Sequence, residues 1–263
     1  MMNNHKAMKI TLLGTGTSQG VPVIGCDCEA CQSTDLRDKR LRTSAMIEVN
    51  GKTIVIDIGP DFRQQMIRAK VQKVDAILLT HEHSDHVIGL DDVRPFNFRY
   101  LMDMPVYGEQ RVLDSLRERF AYIFASNPYP GVPRVTLNPI SKNEPLELFG
   151  QSIVPIEVLH YKLPVLGFRF DKFTYITDIK TISEEEIEKV KGTEYLVVSA
   201  LRREEHISHF TLEEALDFIK KIKPKQAYLT HLSHRMGKHE DLENELPENV
   251  SVAYDGLSFT MND

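Results

Sequence analysis

Seven residues, Thr80-His81-Glu82-His83-Ser84-Asp85-His86, constrain this chain more than any others. They place three imidazoles and a carboxylate directly after the apolar run Ala76-Ile77-Leu78-Leu79. Such a run reads as a buried strand, after which the chain must turn sharply to bring alternate side chains to a common point. Metal-capable groups at this density are costly to hold unpaired, and cations offset that cost. His81 and His83 can serve one ion, and Asp85 and His86 a second. Imidazole with carboxylate suits zinc, manganese or iron. The bland alternative is a solvated loop with incidental histidines, and the density of donors argues against it.

The three cysteines, Cys26, Cys28 and Cys31, are odd in number and crowded into six residues, so they cannot build a disulfide framework. Their spacing suits zinc, which takes four ligands, so a fourth must come from elsewhere in the chain. Three free reduced thiols are the alternative. At 263 residues the chain can bury a substantial core. Its net charge of −6 gives no electrostatic case for a polynucleotide or an anionic membrane as partner. No apolar stretch approaches the roughly 20 residues that span a bilayer. Residues 1–9 are polar and mixed, so a cytoplasmic location is expected.

Strands are expected at 9–13, 45–49, 53–57 and 76–79, with Asn50-Gly51 closing a hairpin between the second and third. A helix is expected over 62–69. Residues 91–105 read as an aromatic loop with Phe96, Phe98 and Tyr100, followed by a helix over 109–120. The stretch 122–132 is irregular and carries Phe124, Tyr129 and two prolines. Further strands are expected at 152–159, 166–170, 173–177, 195–199, 226–230, 250–253 and 257–260. Ser183 heads a helix with an acidic first turn, and Thr211-Leu212-Glu213-Glu214 forms a capping box. With no evident repeat or linker, the pattern predicts two sheets packed together with helices outside.

Asp57, His81, His160, Asp178 and His231 all fall at or just past apolar strands, where a site held by loops on a rigid scaffold would lie. Taken singly, His160 also reads as a turn histidine, Asp178 as a helix cap and His231 as a strand-end surface residue. The turn Gly14-Thr15-Gly16-Thr17-Ser18-Gln19-Gly20 matches neither a phosphate loop nor a dinucleotide fingerprint. Thr17 or Ser18 could offer a hydroxyl to phosphate there, or the turn could be purely structural. His5 and His239 read as surface residues.

The Thr-His-x-His-x-Asp-His segment, with a later histidine, a later aspartate and a final histidine, resembles the metallo-β-lactamase superfamily. The opening turn with Val21-Pro22 and Cys26-x-Cys28-x-x-Cys31 resembles a narrower branch. That branch contains the phosphoribosyl cyclic phosphodiesterase of phosphonate breakdown and is related to tRNA 3′-processing endonucleases. The likeness runs almost end to end, through His160-x-x-x-Pro164-Val165-Leu166-Gly167 and Leu229-Thr230-His231-Leu232-Ser233-His234 to Tyr254-Asp255-Gly256-Leu257. It implies an α+β fold, a four-layer αβ/βα sandwich, formed by residues 1–263 as a single domain. The stretch 91–133 would be a lid or interface insertion.

By the same resemblance, His81, His83 and His160 hold one divalent metal, Asp85, His86 and His231 hold the other, and Asp178 bridges them. Asp57 would orient a ligand from behind, although a strand-end turn former is its simpler reading. Cys26, Cys28, Cys31 and His234 would hold a structural zinc. His209 would assist proton transfer near its free pKa of about 6.5, with His206 as its rival. The implied chemistry is in-line attack on phosphorus by a hydroxide bridging two ions, zinc or manganese with iron open. The substrate would be a small or cyclic phosphodiester, with a homodimer left open. His160-Tyr161-Lys162 departs from the small residue expected after this histidine, and Lys162 either offers charge to a phosphate or lies at the surface. Three other functions remain open: hydrolysis of a lactone or thioester, tRNA 3′ processing on a basic surface, and a non-enzymatic, metal-stabilised interaction protein.

Overall fold

A computed structural model describes residues 7–261. The chain forms β1 (Met8–Gly14), β2 (Ser44–Val49), β3 (Lys52–Ile56), β4 (Ala76–Leu78), β5 (Met104–Gly108) and β6 (Val135–Pro139). It continues with β7 (Leu146–Leu148), β8 (Gln151–His160), β9 (Leu163–Phe170), β10 (Phe173–Ile176) and β11 (Tyr195–Ser199). The last strands are β12 (Gln226–Thr230), β13 (Val250–Val252) and β14 (Ser258–Met261). The helices are α1 (Glu29–Gln32), α2 (Phe62–Arg68), α3 (Ser84–Val87), α4 (Arg94–Tyr100), α5 (Gln110–Arg119), α6 (Glu184–Val190), α7 (Leu212–Ile222) and α8 (His239–Glu243).

Two compact units result. The first comprises the described residues up to Leu13, then 44–141, then those from Gly256 onward; the second comprises 14–43 and 142–255. Each carries a seven-stranded mixed sheet with helices, ordered β14-β1-β2-β3-β4-β5-β6 in one and β13-β12-β11-β10-β9-β8-β7 in the other. The fold is therefore α+β.

In the first unit β2 and β3 form the expected hairpin, with Asn50 and Gly51 both at positive φ. From β3 to β6 the strands run parallel. Ile54, Val55, Ile56, Ile77 and Leu78 are fully buried, as parallel strands covered on both faces should be. One apolar cluster gathers Val55, Ile77, Phe62 of α2, Val106 and Leu113 of α5. In the second unit β7 to β10 are antiparallel neighbours and β10 to β13 parallel ones. Their core packs Ile176, Val198 and Leu229 against Ala215, Phe218 and Ile219 of α7. The capping box at Thr211 is present: its hydroxyl accepts from the Glu214 N–H while the Glu214 carboxylate accepts from the Thr211 N–H.

The stretch 91–105 departs from the expected loop. It holds α4, with Pro95 in its first turn, where the missing N–H costs nothing. Phe96 is buried edge-on to Phe62, and Phe98 is exposed. Phe124 packs against the core of the first unit, whereas Tyr129 is 79% exposed.

Candidate metal centre

In the first unit the register Ile56↔Leu78 sets the ends of β3 and β4 side by side. Asp57, next after β3, donates its N–H to Leu78 O at 2.9 Å and sits at φ +61°. Its carboxylate is fully buried. One oxygen accepts from the Thr80 N–H at 2.9 Å, and the other accepts from the Thr80 hydroxyl at 2.9 Å and from His86 Nδ1 at 2.6 Å. The Thr80 hydroxyl in turn meets His81 Nδ1 at 3.0 Å. With Nδ1 engaged on both His81 and His86, the hydrogen bonds assign the coordinating lone pair of each ring to Nε2.

His81 Nε2 lies 2.9 Å from His83 Nδ1, and His86 Nε2 lies 3.3 Å from Asp85 Oδ2. Imidazoles bound to one ion at about 2.0–2.1 Å would stand roughly 3 Å apart, so the donor set fits metal. Close packing completes the loop: a Cβ on Gly89 would lie 2.2 Å from Gly59 O, so only glycine lets the turn that follows α3 approach the turn after Asp57.

Burial pushes the Asp57 carboxyl above its usual range, against the pull of His86 and Thr80. Asp57 thus orients His86 directly and His81 through Thr80. Asp57→Asn should lower divalent-metal affinity by about 10–100-fold, the usual effect of removing such a partner. A competition titration with a chromogenic chelator measures this, and unchanged affinity would leave Asp57 a turn former only.

In the second unit the register Ile176↔Val198↔Leu229 aligns the parallel strands β10, β11 and β12. Asp178 and His231, each two residues past those levels, approach to 3.2 Å between Oδ1 and Nε2. Both adopt positive φ, 53° and 57°. A left-handed conformation costs a non-glycine residue about 1–3 kcal/mol and persists where its surroundings over-determine it. The Thr177 hydroxyl donates to Asp178 at 2.7 Å. His160, the last residue of β8, has Nδ1 2.8 Å from Ser208 O, which turns its Nε2 outward. His160, Asp178 and His209 bring their donor atoms within 4.8 Å of one another.

Cys26, Cys28, Cys31 and His234 also converge, all four donor atoms lying within 4.8 Å of one another. His234 Nδ1 is 3.1 Å from Cys26 Sγ and 3.4 Å from Cys28 Sγ. Tetrahedral zinc, with sulfur at about 2.3 Å and nitrogen at about 2.0 Å, would space such donors roughly 3.5 Å apart. Hydrogen bonding from the Cys31 backbone N–H is the largest influence lowering the Cys28 thiol, to about 6, which favours the metal-binding thiolate. Burial raises Cys31 to about 11. The set is closed, with no position left for chemistry.

Several expectations need correction. His209 is not near its free pKa: burial holds it at about 2 despite the attraction of Asp178, so its imidazole is neutral at pH 7. Its Nδ1 is buried without a hydrogen-bond partner, 3.9 Å from Asp178 Oδ2. His239 is not a surface residue. It is buried at the start of α8, its N–H donating to Asp38 and its Nδ1 lying 3.4 Å from the Arg40 guanidinium. His5 lies outside the described residues. Lys162 is exposed, its ammonium 5.3 Å from the Tyr161 ring. His206 stands beside His209, ring centres 5.1 Å apart.

Local sequence gives no role to Thr80, Arg111 or Arg119. Two of the three arginines of α5 reach the 81–86 loop, Arg111 pairing with Glu82 and Arg119 donating to Ser84 at 3.1 Å. Their spacing along α5 was the available signal.

Mixed sheets that present clustered histidines and aspartates at strand ends are the arrangement of the metallo-β-lactamase fold. A family model described as a beta-lactamase superfamily domain matches residues 52–232, and the chain belongs to that superfamily. A diphosphatase of the PhnP family is similar in structure, with TM-score 0.91 and 38% identity over 97% of this chain and 98% of that one. A Porphyromonas gingivalis protein named octanoyltransferase is 44% identical over 252 residues, 95% of this chain but 51% of that protein. Zinc-bound PqqB from Methylobacterium extorquens shares the fold at TM-score 0.80 and 18% identity, over 95% and 99% of the two chains. The chain spans about half the length of the curated relatives it matches. Among the described residues no helix is long and apolar enough to cross a membrane.

Proposed function

We infer that the chain is a two-metal phosphodiesterase acting on a small or cyclic phosphodiester. The observation that carries this is the likeness to a PhnP-family diphosphatase, 38% identical across 98% of its length, in a chain that retains every donor the chemistry needs. In this reading His81, His83, His160, Asp85, His86, His231 and Asp178 would hold two divalent cations. When bound, the divalent cations, zinc or manganese, supply an activated water and neutralise charge at phosphorus. Asp57 and Thr80 hold His86 and His81 in their coordinating tautomers. The Ser208 carbonyl does the same for His160. His209, neutral, donates a hydrogen bond to a phosphoryl oxygen or to the departing one. Cys26, Cys28, Cys31 and His234 would hold a structural zinc.

The partners proposed are this small substrate and no polynucleotide or membrane, in a cytoplasmic protein whose thiols stay reduced. A second reading, attack on a carbonyl electrophile, is favoured by the octanoyltransferase relative, although that protein is about twice as long as the matched region. A panel of bis-p-nitrophenyl phosphate, a cyclic ribose phosphate, a lactone and an octanoyl thioester, with added manganese, separates them. Turnover confined to the phosphodiesters supports the first reading. Turnover confined to the lactone or thioester replaces it with the second.

A further inference from the structure

Within the first unit α2 ends on an unusual residue. Val71 donates its N–H to Met66 O at 3.0 Å and Lys70 donates its own to Ile67 O at 3.1 Å. This paired closure of the last turn sets Lys70 at φ +54°. Glycine commonly fills that position, because it adopts the left-handed conformation without steric cost. Here a lysine holds it. Met66 and Val71, the apolar pair that the closure brings together, line a cavity of about 480 Å³ with Pro95 and Phe96 of α4. Met66 and Phe96 are buried and form its floor, and Phe96 is fixed edge-on against Phe62. Ile67 also lines it, yet is 60% exposed. The rim is cationic: Arg63, Lys70 and Arg99 stand against one carboxylate, Asp92, among the described lining residues. Arg63 and Lys70 are exposed, and neither side chain has a partner among the described residues. Arg99 Nη1 donates to Gln72 Oε1 at 3.1 Å and the Tyr100 hydroxyl to Gln72 O at 2.8 Å, which ties α4 to the segment after α2.

We propose that this cavity binds a free medium-chain carboxylate, its alkyl body on Met66, Val71 and Phe96 and its head on Arg63 and Lys70. A concave site of this volume between helices, apolar within and carrying a few convergent polar groups, has the make-up of a small-molecule pocket. Charge selects the head group. Three cations around one carboxylate favour an anion, and the planar Arg63 guanidinium can engage both oxygens of a carboxylate at once. The apolar floor selects the body, since a small hydrophilic anion would leave Met66 and Phe96 uncovered. The site uses none of the histidines, aspartates or cysteines of the metal centres, so it stands or falls independently of the phosphodiesterase reading.

The test uses the metal-loaded protein in excess acetate, which offers the metal ions the same carboxylate group without an alkyl body. Calorimetry with sodium hexanoate, octanoate and decanoate, each below its micelle-forming concentration, should show affinity rising about tenfold for every two methylenes buried. Octylammonium, the same body with the opposite charge, should show no binding over the same range. Arg63→Ala and Lys70→Gly should each weaken octanoate binding by about fivefold, the upper end for an exposed charge pair. Lys70→Gly should not lower Tm, since glycine accepts φ +54° freely, so its loss of affinity cannot come from unfolding. Methyl NMR should locate the ligand, with the Met66 resonance shifting as octanoate is added. Affinity independent of chain length, equal binding of octylammonium, a Met66 signal that stays still, or octanoate binding unchanged in both variants overturns the proposal. So does a concentration-dependent dimer, seen by sedimentation, that Ile67→Asp dissolves, because it would assign the cavity to a second copy of this chain.

Discussion

Asp178→Asn should abolish most phosphodiester turnover, by at least about a hundredfold, beyond what removing a group one step behind a ligand costs. The substitution keeps the side chain's shape and deletes its charge. In the second unit that carboxylate faces His231 Nε2 at 3.2 Å and lies 3.9 Å from His209 Nδ1, while accepting from Thr177. An amide there could turn an N–H toward either imidazole, opposing the lone pair a cation needs. Metal content should therefore fall together with rate. Paired assays of elemental composition and bis-p-nitrophenyl phosphate hydrolysis on purified variant check this. A variant with normal values for both would remove Asp178 from the machinery.

The second large effect concerns stability. Cys28→Ser should lower the metal content by one ion per chain and destabilise the protein sharply. A ligand present at a thousand times its Kd stabilises the folded state by about 4 kcal/mol. For a chain of this size that corresponds to roughly 8–16 °C in Tm. Within 21–35, α1 is a single turn and Ile24 is exposed, so beyond buried Val21 and Ala30 and the Val21–Arg40 backbone pair the four-ligand set is the main support. Scanning calorimetry of wild type and variant, each with and without added zinc, measures the effect. An unchanged Tm with three ions still bound would mean that the thiols are not ligands.

What the sequence disclosed was local or periodic. The Asn50-Gly51 turn, the Thr211 capping box and the alternation of apolar strands with amphipathic α7 all depend on neighbours within a few residues. The ligand loop after Ala76–Leu79 was legible for the same reason. The assembly of the cysteines with His234, some 200 residues on, came through family resemblance, because no local rule links them.

Features set by tertiary contact were not legible. Residues 94–100 read as a loop because Pro95 and aromatic residues obscure the helical period, yet Phe96 is held in place by Phe62. Strands β5 and β6 contain Pro105 and Pro139, residues that argue against a strand until the pairing is known. His239 is buried because Asp38 and Arg40 meet it from far along the chain. The pKa of His209 follows from its burial, which no spacing reveals. The left-handed backbone at Asp57, Asp178 and His231 is equally invisible in composition.

The most direct test of the account is a stoichiometric titration of phosphodiesterase activity with manganese or zinc, starting from protein that retains only its cysteine-bound ion. Turnover should rise to a break at two equivalents per chain, giving three ions in all. Full activity with no added metal, or a break at one equivalent, would contradict a two-metal phosphodiesterase built from the histidines and aspartates between His81 and His231.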